Sequence, residues 1–136
     1  MAGESRPILI VVGTSLRAEE ADRPLAYYLK QQIEQTPNPP SVIVVADLRW
    51  LHDEPLQSFP SISLGGPGVN ALAHRWIEDL PVTLAVDDQF YIQMPPKLET
   101  LRASLWGMNN AQTQLAVSTF IQRFLPRFLE RNAEED

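Results

Sequence analysis

Two short runs of apolar, mostly β-branched residues constrain the fold of this chain more than any other feature. They are Ile8 to Val12 and Val42 to Val45. A strand that is apolar at every position is buried on both faces, which is typical of a parallel sheet. Residues 19–35, between the two runs, carry apolar side chains at close to helical spacing and acidic side chains at the start. The chain is therefore predicted to begin as a β–α–β unit.

Strand-like and helix-like segments go on alternating in the remainder of the chain. A helix is predicted at residues 69–79, and a longer one at 111–131 that Pro126 should interrupt. Residues 98–106 fit either a strand or a helix. The other predicted strands are residues 41–48, 61–64, 81–86 and, with weaker alternation, 89–94. This order predicts an α/β three-layer sandwich with a mainly parallel sheet.

Nothing in the sequence separates two domains. We predict one α/β domain over residues 1–136, with loose ends at residues 1–6 and 132–136. The apolar fraction of 44% is sufficient for a substantial core. The longest apolar run, Ile8 to Val12, is too short for a membrane span or a signal sequence. We therefore expect a cytoplasmic protein.

Charge and cysteine content exclude several classes of function. The chain has 11 basic and 17 acidic residues, a formal net charge of −6, and no cysteine. An acidic chain is a poor partner for nucleic acid or for an anionic membrane surface, so we expect neither. Without cysteine there are no disulfides, thiolate metal sites or cysteine nucleophiles. A small-molecule ligand and a homodimer remain the partners to consider.

The loops after the predicted strands, which together hold most of the glycines, are the first candidates for a site, because ligands of open parallel sheets bind beyond the carboxyl ends of the strands. These loops are residues 13–17, 47–53, 65–70, 86–89 and, if residues 98–106 form a parallel strand, 107–110. The hydroxyls of Thr14 and Ser15 could hold a phosphate, or they could simply cap the next helix.

The loop at residues 65–70 contains the densest glycine cluster. Gly66, Pro67 and Gly68 would let the backbone approach a flat ligand, and Asn70 could offer its amide to that ligand. A tight turn with Asn70 at the helix start explains the same residues. The loop lacks both the GxGxxG fingerprint and the P-loop lysine.

The remaining polar and aromatic clusters are weaker signals. His52, Asp53 and Glu54 could suggest a metal or a general base, but the two histidines, His52 and His74, have no firm metal-ligand spacing, and no metal site is predicted. Asp87 and Asp88 are predicted to form a solvated turn rather than a functional pair of carboxylates. Trp50 and Trp106 are expected near the carboxyl edge. The stripe Phe120, Phe124, Phe128 is read as core first and as a dimer face second.

Four segments carry a resemblance to a known family. They are Val12-Gly13-Thr14-Ser15-Leu16-Arg17, Asp22-Arg23-Pro24-Leu25-Ala26, Val45-Ala46-Asp47-Leu48 and Pro67-Gly68-Val69-Asn70. Over roughly residues 7–86 the chain resembles the flavodoxin-like superfamily, most closely NAD(P)H-dependent FMN reductases. The resemblance implies a flavodoxin-like fold and bound FMN, with the phosphate held by Thr14, Ser15 and Arg17. The flavin ring would lie against Gly66, Pro67, Gly68 and Asn70.

Three functions are compatible with these observations. The first is an FMN-dependent oxidoreductase, in which the cofactor supplies hydride transfer. The second is a non-catalytic flavodoxin-like binding or assembly module, dimeric, that has lost the flavin site; the acidic Glu19 and Glu20 beside the phosphate loop favour it. The third is a hydrolase or transferase that uses Asp47, His52 or Asp87 in the same cleft. Fold alone does not choose among them.

Overall fold

A single six-stranded sheet forms the centre of the molecule, seen in a computed structural model that describes residues 6–134. Its order is β2-β1-β3-β6-β5-β4. The first four strands in this order are parallel, whereas β5 is antiparallel to both of its neighbours. The prediction of a mainly parallel sheet is confirmed. The strands are β1 (Ile8–Val12), β2 (Val42–Ala46), β3 (Ser61–Leu64), β4 (Val82–Val86), β5 (Phe90–Gln93) and β6 (Arg102–Gly107).

Helices cover both faces of the sheet, which confirms the three-layer α/β sandwich. Side chains of α2, α5 and α6 share the larger apolar cluster with Ile8, Ile10 and Val12 of β1, while those of α3 and α4 pack with Leu9 and Val11 on the opposite face. This alternation explains why β1 is apolar throughout. The helices are α1 (Leu16–Ala21), α2 (Arg23–Glu34), α3 (Asp47–His52), α4 (Ala71–Asp79), α5 (Asn110–Arg123) and α6 (Leu125–Glu134). None of these helices is long and apolar enough to span a membrane.

Residues 19–35 do not form one helix throughout: a helix start near Asp22, which Pro24 favours, is confirmed, and residues 16–21 form a separate short helix. Helix α1 ends at Ala21, Asp22 stands at the junction, and α2 begins at Arg23 with Pro24 in its first turn. Proline has no N–H to donate to the preceding turn and its ring crowds the carbonyl four residues earlier, so one helix does not continue through it.

The segment between β2 and β3 contains more helix than the sequence predicted. Strand β2 ends at Ala46 rather than at residue 48, because Asp47 already begins α3. A short 3-10 helix, Glu54–Ser58, follows α3. Residues 98–106, ambiguous in sequence, contribute β6, which pairs in parallel with β3.

The carboxyl-terminal region is helical up to the last described residue. Pro126 lies in the first turn of α6, and α5 ends just before it, so the predicted interruption is confirmed. Residues 132–134 belong to α6 instead of forming a loose end, because Asn132 is fully buried and its Nδ2 donates to the carbonyl of Arg6 at 2.9 Å. Residues 1–5 and 135–136, also predicted to be loose, lie outside the described part of the chain.

Candidate functional site

Loops from five strands meet at the carboxyl edge of the sheet, as the parallel arrangement requires. The strands β1, β2, β3 and β6 run in one direction. Strand β5 is antiparallel to β6, and β4 is antiparallel to β5, so β4 also runs in that direction. A cavity of about 460 Å³ opens there. We call it the cleft; it is lined by Arg17, Ala21, Asp22, Gly66, Pro67, Gly68, Val69, Trp106, Gly107, Met108, Asn109, Asn110 and Thr113.

The cleft is lined by bare backbone at Gly66 and Gly68 and by the indole of Trp106, and a Cβ on Gly66 would lie 3.9 Å from Cε3 of that indole. A Cβ placed on Gly68 would meet nothing within 4 Å, so this loop leaves open space beside it. Trp106 is half-buried, and its Nε1 donates to Oε1 of Gln93 at 2.9 Å. Its ring also lies 4.5 Å from that of Tyr91. These two contacts hold the indole in one orientation, so the cleft has a rigid flat surface.

A buried carboxyl group, Asp22, adds the strongest electrostatic feature of the cleft. The residue is only 5% exposed. Burial raises the pKa of Asp22 from 3.8 to about 6, while a hydrogen bond from Asn110 and the charge of Arg17 oppose the rise. The carboxyl also abuts Gly65, whose φ of +109° brings its backbone against Asp22; a Cβ there would lie 2.6 Å from Oδ2.

Sequence analysis did not single out Asp22 as a site residue. In the sequence it is one of several acidic residues at a helix start, where the helix dipole accounts for them. The available signal was Pro24 two residues later, because a proline in the first turn predicts a helix start beside Asp22. Met108 and Asn110 were also missed as individual residues, although their loop was named.

A second carboxylate, Asp47, occupies the place expected for a phosphate. Its Oδ1 accepts from Thr14 Oγ1 at 2.6 Å and from the backbone N of Leu48 at 2.7 Å. Its Oδ2 accepts from the backbone N of Ala71, the first residue of α4, at 2.7 Å. Asp47 is 3% exposed. It therefore joins three loops and places a fixed negative charge at the start of α4.

The amide of Asn70 is also fully used by the fold. Its Nδ2 donates to the carbonyls of Val11 and Leu64 at 3.1 and 3.0 Å. Its Oδ1 accepts from the backbone N of Leu72 and Ala73 at 2.9 and 3.1 Å. A side-chain amide has two donors and one two-lone-pair acceptor, so no capacity remains for a ligand. The proposed contact of Asn70 with a ligand is therefore wrong, and its alternative role as helix cap is confirmed.

The predicted site residues divide between two hollows. Arg17, Gly66, Pro67 and Gly68 line the cleft. Thr14, Ser15 and Asn70 line a second hollow of about 390 Å³, together with Asp47 and again Pro67 and Gly68.

The groups in that second hollow do not fit the phosphate of FMN. Thr14 donates to Asp47, and Ser15 Oγ accepts from the backbone N of Ala18 as the cap of α1. The Asp47 carboxylate would repel a phosphate at this place, and it already accepts from the first amide of α4. The misfit to a phosphate therefore rests on the engaged Thr14 hydroxyl and on the charge of Asp47; the Ser15 hydroxyl only accepts in these contacts.

The two tryptophans singled out in sequence are at opposite edges of the sheet. Trp106 lies at the carboxyl edge as predicted. The prediction for Trp50 is wrong: its Nε1 donates at 3.0 Å to Oγ of Ser61, the first residue of β3, and its ring meets Trp76 edge-on at 5.4 Å. Helix α3 carries Trp50 away from the carboxyl edge towards the amino edge, which a strand ending at residue 48 would not do.

The other polar and aromatic candidates have structural roles. Asp87 and Asp88 form the exposed turn between β4 and β5, with positive φ values of 48° and 55°, so the predicted solvated turn is confirmed. Phe120 and Phe128 are fully buried, and Phe124 packs partly buried against the same core. The prediction that this stripe is core is confirmed, and it leaves no phenylalanine face for a dimer. His52 is exposed.

No model of a known protein family matches the sequence, and no curated protein is significantly similar to it.

Proposed function

We propose that this protein is a flavodoxin-like, non-catalytic module that binds a small, planar, phosphate-free ligand in the cleft. The order β2-β1-β3 with parallel pairing supports the first part of this proposal, because the flavodoxin-like sheet begins in the same way. The fourth parallel position is taken by β6, and the antiparallel pair β5-β4 completes the edge. The cleft lies where such sheets bind ligands.

The observation that carries the proposal is the composition of the cleft walls. A rigid indole, Trp106, stands near a loop of bare backbone at Gly66 and Gly68, which leaves a space suited to a flat ring. The two most exposed large apolar side chains of the described residues also lie at this edge: Leu16, the first residue of α1, is 79% exposed, and Met108, in the loop after β6, is 70% exposed. Apolar groups left in water beside a cavity favour a ligand with apolar surface.

A flavin oxidoreductase is less well supported than a simple binding module. FMN is an anion, and the Asp47 carboxylate already accepts the hydrogen bonds from Thr14 and Ala71 that would hold its phosphate. A planar ligand without a phosphate does not need these hydrogen-bond donors. We therefore retain the expected binding of a flat ring. We interpret the residues that were expected to bind a phosphate as residues that stabilise the fold.

Trp106 provides a direct test of ligand entry. Trp50 and Trp76 are 3% and 1% exposed, so acrylamide should quench chiefly the fluorescence of Trp106. A planar ligand in the cleft should protect this tryptophan from acrylamide, and the Trp106→Phe variant should lose the accessible component altogether. If a panel of phosphate-free ring compounds leaves acrylamide quenching unchanged at millimolar concentrations, the proposed function is refuted.

Riboflavin and FMN form a matched pair of ligands that tests the phosphate half. They share one ring system and differ in the phosphate, so a working phosphate loop would make FMN the tighter ligand. We expect FMN to bind no better than riboflavin, by quenching of flavin fluorescence and by retention during gel filtration. FMN binding at least tenfold tighter than riboflavin would contradict the proposal and restore the oxidoreductase hypothesis.

A further inference from the structure

Among the described residues that line the cleft, Asp22 is the only buried ionisable one. The other ionisable lining residue, Arg17, is exposed at the rim. An exposed charge contributes little to binding because solvent screens it, whereas a buried charge interacts strongly. The selectivity of the cleft for charge should therefore follow Asp22.

We propose that the cleft selects planar ligands that carry N–H donors, such as an amidine or an amino-substituted heteroaromatic ring, through the carboxylate of Asp22. This inference rests on the proposed function, since it names the ligand class of the same cleft. A carboxylate accepts two parallel N–H···O bonds from a planar amidine, which gives both affinity and orientation. The ring attached to such a group would then lie beside Trp106.

The backbone around Asp22 fixes this carboxyl in place. Its backbone N donates to Ala18 of α1 at 2.9 Å, and its carbonyl accepts from Ala26 of α2 at 3.0 Å. It stands at the N-cap position of α2, yet its side chain makes no capping hydrogen bond there. The backbone of Asp22 is thus held by two helices, while its carboxyl makes no capping hydrogen bond to either of them.

Acceptor capacity remains on Asp22 after its contacts within the protein are counted. An ionised carboxylate has about four acceptor positions. The Asn110 side chain supplies a hydrogen bond, and its Nδ2 also donates to the carbonyl of Ala21 at 2.8 Å, which keeps it beside the carboxyl. This contrasts with Asp47, whose two oxygens accept three hydrogen bonds from the protein. The free positions of Asp22 are the ones that a ligand donor would use.

Protonation of Asp22 should weaken such binding. The pKa of Asp22 is raised to about 6, so the acceptor form is dominant at pH 8 and minor at pH 5. Arg17 on α1 is the other charged group of the cleft. The lining residues from the β3–α4 and β6–α5 loops and from α5 are not titratable. Affinity for an amidine is expected to fall about tenfold between pH 8 and pH 5.

Benzamidine and benzoate provide a matched test, because they share a flat ring and carry opposite charges; benzamide is the neutral third member. Binding is measured by protection of Trp106 from acrylamide and by calorimetry, at pH 8 and pH 5. We expect benzamidine to bind at least tenfold more tightly than benzoate at pH 8. The preference should disappear in Asp22→Asn and persist in Asp79→Asn, a control at the exposed end of α4.

The outcomes separate this inference from the proposed function. If benzoate or benzamide binds as tightly as benzamidine, the cleft is a ligand site, but the proposed selection of N–H donors by Asp22 is refuted. If Asp22→Asn keeps the full preference, or if benzamidine affinity is equal at the two pH values, the inference is refuted as well. If no ring compound protects Trp106, the proposed function fails and the inference fails with it.

Discussion

Replacement of Asp22 by asparagine should change how stability depends on pH. Burial raises the pKa of this carboxyl from 3.8 to about 6, so the folded protein binds a proton more tightly than the unfolded chain does. The stability associated with the protonated group is complete below about pH 4 and is lost as the pH rises through 6. The Asp22→Asn side chain is uncharged and nearly the same shape, so the variant should not show this loss.

The pKa change sets the size of the effect. A tenfold change in acidity corresponds to about 1.4 kcal/mol, and the rise from 3.8 to about 6 corresponds to about 3 kcal/mol at most. Water that reaches the cleft reduces this figure, so we expect about 1–3 kcal/mol. At pH 8 the Asp22→Asn variant should be more stable than the wild type by this amount, and the advantage should vanish near pH 4.

Urea denaturation at half-unit intervals from pH 4 to pH 8 would measure the free energy of unfolding of both proteins. The difference between variant and wild type isolates Asp22, because the other carboxyls titrate in both proteins alike. Asp88→Asn, in the exposed turn, serves as the control and should give a difference near zero throughout. A difference that does not change with pH, or a variant less stable than the wild type at pH 8, would refute this account of Asp22.

Four further substitutions test the loops that form the carboxyl edge, each by its urea midpoint. Gly13→Ala would place a Cβ 1.8 Å from the carbonyl oxygen of Val69, and we expect a loss of about 3 kcal/mol or more, while Gly68→Ala, with open space around it, should be near neutral. Asn70→Ala removes four buried hydrogen bonds and should cost about 3–5 kcal/mol; a loss under 1 kcal/mol would contradict its capping role. Asp47→Asn replaces a carboxylate oxygen with an N–H₂ group facing a donor, and a loss of about 2 kcal/mol is expected.

The apolar strand runs were sufficient to predict the general architecture. Ile8 to Val12 is apolar at every position, and the structure places its alternate residues in two separate clusters on the two faces of the sheet. A parallel sheet with helices on both sides follows from that requirement. The direction of the strands then decides which loops meet, so the loops at 13–17, 65–70 and 107–110 were correctly expected at one edge.

The sequence was less informative where local signals were balanced. Residues 98–106 fit both periodicities, and parallel pairing of β6 with β3 makes them a strand. The helix formers from Glu19 onward did not show that residues 16–21 form a separate short helix before the one that Pro24 begins. The end of β2 was misplaced by two residues because nothing local distinguishes a strand end from a helix start at Asp47.

Local periodicity encodes burial patterns and strand direction. The amino-acid sequence was therefore enough to predict the fold class and to predict that a ligand site lies at the carboxyl edge of the sheet. Only the tertiary structure decided which polar groups remain available there. Thr14 and Asp47 are 33 positions apart, and Asn70 and Val11 are 59 apart, yet each pair is joined by a hydrogen bond. Asp22 keeps acceptor positions open beside the cleft. Whether a polar side chain is used by the fold depends on partners distant in sequence, which no local pattern contains.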